Sequence, residues 1–373
     1  VITVGAYATV AAVVILTTLA VTPLVRSVAI RIGAVVRPDE RRVHDRPTPT
    51  LGGVAMLAGM LVGMAVAWRL EAFDAVFAGT TEPFGLVAAA VVMLAVGVID
   101  DIVEVSAPAK LAGTVLAASI LVYSGVSILN FRIPFLDVFV LSPDFSYLVS
   151  VLWVVGMTQA VNLIDGLDGL AAGIVAIAAG TFFLYSQRLL DEGLLTEGTV
   201  APLVAVLVFG MCIGFLPWNV HRAKIFMGDG GALLLGLLMA ASTMMVGGRT
   251  DQAFSGQTFF FFAPLFIPLV ILGVPILDTV WAIVRRATKR TGVATADKDH
   301  LHHRLMRLGH GHRRSVAILW TWTLLLSGMV LYPTFSRRGD AIVPFGIAGL
   351  ALLLYTVLHP SAREARRGDG SVG

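Results

Sequence analysis

The stretch FGLVAAAVVMLAVGVIDDIVEVSAPAK, residues 84–110, decides the fold. From Phe84 to Ile99 no side chain is ionisable, and the run is nearly long enough for one helix to cross a bilayer, which takes roughly 20 residues. It stops abruptly at two adjacent aspartates. Comparable apolar runs recur along the whole chain, at 3–24, 51–68, 84–99, 109–128, 145–161, 170–187, 200–216, 231–246, 258–283, 315–333 and 341–358. They predict an all-α polytopic membrane protein with about eleven transmembrane helices. Composition agrees: of 373 residues 57% are hydrophobic and 14% charged, against roughly 25% charged in a soluble globular chain. A water-soluble fold is excluded on that ground. The reading is one integral membrane domain over 1–358 and a disordered cytoplasmic tail over 359–373. The first apolar run lacks a basic leader and is followed by arginines, so it reads as a span and not a cleaved signal. The single Cys212 excludes disulfides within one chain and any cysteine-based metal site.

Lysine and arginine in the loops set the orientation. The loops 25–50, 100–110, 162–169, 217–230 and 284–314, with the tail from His359, hold 21 of the 27 basic residues. The alternate loops hold only Arg69, Arg132, Arg188, Arg249, Arg337 and Arg338. The first set is therefore expected in the cytoplasm, with the N-terminus outside and the C-terminus inside. The unusual polar chemistry shares that side. A transporter would place ionisable groups near the bilayer midplane. Here they gather at helix ends on one face, as for an enzyme working at the membrane surface on a soluble substrate.

Asp100 and Asp101 end their span where the helix dipole is already negative. Two unit charges about 4 Å apart repel by about 4 kcal/mol at an effective dielectric near 20. A bound divalent cation removes that penalty; a solvated boundary pair is the plainer account. Lys110 is the only cation in the same loop. In NLIDGLDGLAAG, residues 162–173, Asn162, Asp165 and Asp168 recur at every third position and would form one polar stripe on a helical turn. That loop has no lysine or arginine, so its carboxylates call for a metal or for donors from elsewhere, unless it is simply a polar turn. In PWNVHRAKIFMGDGGALLLG, residues 217–236, Asp229 sits between glycines ahead of an apolar run. A helix N-cap would explain it. So would an oxygen ligand for Mg2+, a hard cation that takes one or two carboxylates plus substrate phosphates. Asn219 and Phe226 close by favour a site over a cap alone.

DKDHLHHRL, residues 297–305, places His300, His302, His303 and Arg304 in the most basic loop. The spacing offers no standard zinc pattern and no evident fourth ligand. A cluster of donors for phosphate oxygens is the more economical reading. His310 and His312, further on, read as surface residues. RRVHDRPTPTLGG, residues 41–53, is irregular by its prolines and glycines. Arg41, Arg42 and His44 there suit a lipid phosphate at headgroup level, or serve only as the positive-inside signal. The run at 258–283 holds Pro264, Pro268 and Pro275, which kink a helix and can leave a groove for an acyl or prenyl chain. Its Asp278 is either a functional carboxylate or the structural partner of Arg285. The chain has no Walker loop and no G-x-G-x-x-G, so a nucleotide is held by another device.

Taken together, these segments resemble the polyprenyl-phosphate N-acetylhexosamine-1-phosphate transferases (glycosyltransferase family 4), over nearly the whole chain and in the same order. The HLHHRL form followed by Leu308 and Gly309 resembles the branch that transfers GlcNAc-1-phosphate. The branch that loads phospho-MurNAc-pentapeptide carries a different segment after its histidines. The resemblance implies UDP-GlcNAc as donor, a decaprenyl or undecaprenyl phosphate as acceptor, UMP as leaving group and Mg2+, with Mn2+ as a substitute. It implies the first step of a cell-envelope glycan linker, of the arabinogalactan, lipopolysaccharide or teichoic-acid kind. The location implied is a bacterial cytoplasmic membrane with the active site on its inner face, among membrane lipids, without nucleic acid and as a homodimer. Residue by residue, it implies Asp100 and Asp101 as a catalytic pair, with Asp165 and Asp168 lining the site. Asp229 and Asn162 would lie at the metal. Lys110, Asn219, Phe226, His300, His302, His303 and Arg304 would face the nucleotide sugar, and Arg41, Arg42 and His44 the lipid phosphate. The competing readings are the phospho-MurNAc-pentapeptide enzyme and a lipid or solute transporter.

Overall fold

The computed structural model describes residues 2–36, 46–103, 105–132, 138–247, 301–336 and 342–358, with a few helical positions between 272 and 281. The first half runs α1 (Val4–Ile32), β1 (Val35–Val36), β2 (Thr48–Pro49), α2 (Gly52–Arg69), a 3-10 turn (Glu71–Phe73), α3 (Asp74–Phe77), α4 (Glu82–Val103) and α5 (Ala107–Tyr123). It continues with β3 (Asn130–Arg132), β4 (Val138–Val140), α6 (Pro143–Ile164), α7 (Leu170–Asp191), α8 (Ala201–Asn219) and α9 (Gly228–Gly247). The last described helices are α10 (Leu301–Arg307), α11 (Gly311–Ser336) and α12 (Ile342–Leu358).

Among the described residues eight helices are long and apolar enough to cross a membrane, and the apolar α5 and α12 are shorter. Each predicted apolar run except 258–283 coincides with a helix. That run, with Asp278 and Arg285, lies outside the described residues apart from the short helical pieces. The fold is an all-α membrane bundle. Its only strands among the described residues form two short antiparallel pairs, β1 with β2 and β3 with β4.

Helix α9 forms the axis of the bundle. Its apolar stretch is 94% buried, against 28% for α1 at the rim. Its sequence is apolar on every side, which suits a helix enclosed by others more than one with a single buried stripe. It packs against α4 and α6, and also against α2 and α8. The α4 contact is backbone on backbone. A Cβ at Gly97 would fall inside the main chain of Asp229 and Gly230. This close approach brings the last turn of α4, with Asp100 and Asp101, against the first turn of α9, with Asp229.

A short strap fixes the same end. Phe226 donates its N–H to the Pro49 carbonyl (2.8 Å) and accepts from Gly52 N–H (2.9 Å), while Gly53 donates to Met227 (2.9 Å). The starts of α2 and α9 are thereby tied together through the segments before them. The loop after α4, the α6–α7 loop, the α8–α9 loop and the start of α11 meet one another through the contacts described next, all at this end of the bundle.

Candidate active site

The α4–α9 junction gathers three carboxylates, two of which share one ammonium. Asp101 accepts the N–H of Asp229 on Oδ1 (3.0 Å) and that of Gly230 on Oδ2 (3.3 Å). These are donors that a helix N-terminus leaves without internal partners. Hydrogen bonds to a charged group contribute about 1.5–3 kcal/mol each. Gly228, just before them, has φ of +71°, and a Cβ there would meet the Asp101 carboxylate and the Thr50 hydroxyl. Only glycine fits both conditions. Asp100 accepts Val105 N–H on Oδ1 (2.7 Å), which closes the turn after α4, and Lys110 Nζ on Oδ2 (2.7 Å). The same Lys110 ammonium pairs with Asp229 Oδ2. One cation thus sits between carboxylates from two helices, with its side chain only 17% exposed.

Beside this cluster lies the α6–α7 loop. Asp165 caps the C-terminus of α6, donating its N–H to the Asn162 carbonyl (3.3 Å). Its carboxyl is enclosed by the protein and held well above the ordinary 3.8, at about 7, first by burial and then by the charges of Asp101 and Asp168. It therefore stands electrostatically between the carboxylate cluster and the second group of residues. Asp168 is buried. Its Oδ2 accepts Ala223 N–H (3.1 Å), lies 3.0 Å from His221 Nδ1 and 3.8 Å from His312 Nε2. The two imidazoles stack, with centroids 4.4 Å apart. Asn219 is buried and joins the two loops: Oδ1 accepts Gly169 N–H (3.0 Å) and Nδ2 donates to the Ile225 carbonyl (3.1 Å).

Asp168, His221 and His312 form one wall of a cavity of about 440 Å³. Phe226 lies on its lining, together with four cations: Arg26, Arg46, Arg222 and Lys224. Arg26 is held there by donating Nε–H to the Lys224 carbonyl (3.0 Å). An aromatic face, a buried carboxylate and an excess of positive charge suit an anionic ligand with a planar ring.

The structure thus brings together Asp100, Asp101, Lys110 and Asp229 in one cluster, places Asp168 and Phe226 at the adjoining cavity, and sets Asp165 between. Asn162 lies on the last turn of α6 beside Asp165. The Asn219 amide is committed to backbone groups and does not line the cavity. Arg304, half-buried on α10, does not line it either. Arg41, Arg42, His44 and His300 lie outside the described residues. For His302 and His303 only the backbone, in α10, is described.

One expectation is overturned. His310 and His312 are not surface residues. His310 is 3% exposed and its Nε2 lies 2.7 Å from the Thr356 carbonyl on α12, while His312 faces the cavity. The cause is local. Gly309 and Gly311 both take positive φ, so the chain doubles back between α10 and α11 and presses the intervening histidine into the bundle. Spacing along the sequence carries no sign of that reversal. His221, Arg222 and Lys224 line the cavity as well, although no motif in the sequence marks them. Their only sequence signal is position, within the irregular turn between Pro217 and Asp229.

Known sequences point the same way as this geometry. Residues 83–247, from α4 to α9, match the profile of glycosyl transferase family 4. A decaprenyl-phosphate N-acetylglucosaminephosphotransferase of Mycolicibacterium smegmatis is 38% identical over 339 residues, covering 90% of this chain and 84% of the relative. The chain belongs to glycosyl transferase family 4. A further relative is a probable undecaprenyl-phosphate N-acetylglucosaminyl 1-phosphate transferase of Bacillus subtilis, 36% identical over 307 residues, 82% of this chain and 79% of the relative. More distant is a phospho-N-acetylmuramoyl-pentapeptide-transferase of Desulforudis audaxviator, 32% identical over 320 residues, 80% of this chain and 88% of the relative. The family 4 match spans every aspartate of the site, from Asp100 to Asp229.

Proposed function

We propose that this protein transfers GlcNAc-1-phosphate from UDP-GlcNAc to a polyprenyl phosphate, releasing UMP and leaving polyprenyl-diphosphate-GlcNAc in the membrane. The observation that carries the reading is the pairing of Asp100 and Asp229 with one ammonium, with Asp101 seating the start of α9 next to them, beside a cation-lined cavity that presents Phe226 and Asp168. The named activities of the mycobacterial and Bacillus relatives support the donor and the acceptor. Either prenyl length, decaprenyl or undecaprenyl, agrees with them.

In the reaction an oxygen of the lipid phosphate attacks the phosphorus that bears the sugar. A new P–O–P bond forms, the bond between that phosphorus and the bridging oxygen of the diphosphate breaks, and UMP leaves with that oxygen. Two polyanions must meet, so the protein's task is positioning and charge neutralisation. The phosphate monoester has a second pKa of about 6 and is largely dianionic at neutral pH, so little general-base help is needed. Lys110 supplies a positive charge next to Asp229. Asp101 holds the start of α9, and with it Asp229, in place. Asn219 acts through the two loops it joins, and the arginines of the cavity attract the anionic donor.

The site suits Mg2+. Its donors are hard carboxylate oxygens, and the space between Asp100 and Asp229 already accepts a cation in the form of the Lys110 ammonium. Asp229 would be the main ligand, with Asn162 nearby and Mn2+ as a substitute. Bound there, the ion would supply positive charge to the diphosphate of the donor. The excess of lysine and arginine in these loops supports a cytoplasmic orientation for this end of the bundle in a bacterial inner membrane, where UDP-sugars are available.

The test is a donor panel with the purified full chain, Mg2+, a polyprenyl phosphate and several UDP-sugars, reading UMP release and the lipid product. UMP and lipid-linked GlcNAc from UDP-GlcNAc are expected. Turnover of UDP-MurNAc-pentapeptide instead would assign the chain to the other branch, and no UMP from any donor would point away from a transferase.

A further inference from the structure

His312 has no part in the reading above, yet it is one of the least solvated polar side chains at this end of the bundle. It sits in the first turn of α11, 10% exposed. Its ring lies against that of His221, with centroids 4.4 Å apart and planes tilted by 33°. Its Nε2 is 3.8 Å from Asp168 Oδ2, the oxygen that also faces His221 Nδ1 and Ala223 N–H. Three separate segments therefore converge on one carboxylate oxygen in the wall of the cavity: the α6–α7 loop, the α8–α9 loop and α11. The donor atoms of Asp168, His221 and His312 all lie within 4.8 Å of one another, a spacing that one metal ion can span. Four cationic side chains line the same cavity, however, and oppose a further cation there. Orientation of the carboxylate is the role that fits, through the close contact of His221 Nδ1 and, behind it, the polar His312 Nε2 at ion-pair distance.

We propose that His312 is a positioning residue for the donor nucleotide. It backs the His221 ring and approaches the same oxygen, so that Asp168 presents its carboxylate to the cavity in one orientation beside Phe226. The proposal rests on the reading of this cavity as the uridine-nucleotide site. Without the imidazole, a hole opens beneath His221, that ring gains freedom to rotate, and Asp168 keeps the Ala223 N–H as its fixed partner on Oδ2. The effect should fall on binding of the nucleotide. The α4–α9 cluster, where charge develops during transfer, is left intact.

The experiment measures UMP affinity by calorimetry and steady-state kinetics with UDP-GlcNAc for the full-length protein and three variants, His312→Ala, His312→Gln and His312→Phe, each checked by its melting temperature. His312→Ala should weaken UMP binding and raise KM by about tenfold while kcat falls by less than about threefold, the split expected when ground-state and transition-state binding are lost together. His312→Gln keeps a side-chain donor and should return both constants to within about threefold of the native protein. His312→Phe keeps a stacking ring without the donor and should resemble His312→Ala. If His312→Ala does not fold, the Gln and Phe pair still decides. Native-like UMP affinity in His312→Phe, or in a folded His312→Ala, overturns the proposal. A native protein that neither binds UMP nor uses any UDP-sugar overturns the underlying reading of the cavity instead.

Discussion

Lys110, at the start of α5, is ion-paired with Asp229, at the start of α9, although 119 residues separate them. The same ammonium holds Asp100 of α4 at 2.7 Å. Two carboxylates on different helices thus share an internal counter-ion at the point where the proposed Mg2+ would be held. The ammonium and a divalent ion compete for those oxygens. Lys110→Gln should therefore tighten Mn2+ binding by roughly threefold to tenfold, since a like charge near the ion is removed. Turnover should fall by roughly a hundredfold or more, the usual cost of removing one group that neutralises charge in the transition state. Spin-resonance titration of free Mn2+ reads the first effect and UMP release the second. Weaker metal binding in the variant would show that Lys110 supports the ion and does not compete with it.

Asp101 makes a different prediction from its neighbour. Both of its oxygens are spent on backbone N–H groups of α9, so its role is to seat that helix. Asp101→Asn keeps one acceptor and loses the charge. It should fold, melt a few degrees lower, and lose activity roughly tenfold to a hundredfold through misplacement of Asp229. Asp101→Leu removes both acceptors and leaves buried donors unpaired, at about 1–3 kcal/mol each. Its melting temperature should drop well below that of Asp101→Asn. Equal melting temperatures for the two variants would remove Asp101 from the support of α9.

The sign of the Asp165 shift gives a pH prediction. Its pKa lies at about 7 in the folded protein, against the ordinary 3.8, so between those values the folded state holds more protons than the unfolded one. Stability must then fall as pH rises through that window. Asp165→Asn removes this loss. In the presence of a chelator, the melting temperature of the variant minus that of the native protein should be near its minimum below pH 4, grow towards pH 7, and level off above it. A difference that is flat from pH 4 to pH 8 would mean that Asp165 ionises normally in the folded chain.

Much of this architecture is legible from the sequence, for a physical reason. Apolar runs report directly on helices that contact lipid or one another, and the residues that end them mark the site. Asp100, Asp101, Lys110 and Asp229 were visible because charge is expensive next to a bilayer and stands out there. What the sequence hides is direction. Asn219 looks like a residue that faces a ligand, but its amide joins the Gly169 and Ile225 backbones. His312 looks like surface, because two glycines with positive φ reverse the chain around His310 and nothing in the spacing announces the reversal. Arg26 sits near the end of α1 and reads as a positive-inside charge, although it reaches the Lys224 carbonyl and the cavity.

The contact between α4 and α9 should be the least forgiving in the bundle. A methyl group at Gly97 would overlap the backbone of Asp229 and Gly230, which cannot yield as a flexible side chain does. Gly156 on α6 provides the control, because it is exposed and a Cβ there meets nothing within 4 Å. Glycine within a helix costs about 0.5–1 kcal/mol relative to alanine, so Gly156→Ala should be neutral or slightly stabilising. Overpacking a tight contact typically costs about 1–3 kcal/mol, so Gly97→Ala should lower the melting temperature and, by pushing α9 away, carry Asp229 out of reach of Lys110. Its loss of UMP release should then exceed what its remaining folded fraction explains. Melting curves and activity measured on the same preparations separate the two effects. If Gly97→Ala behaves like Gly156→Ala, backbone contact is not what brings the aspartates of α4 and α9 together.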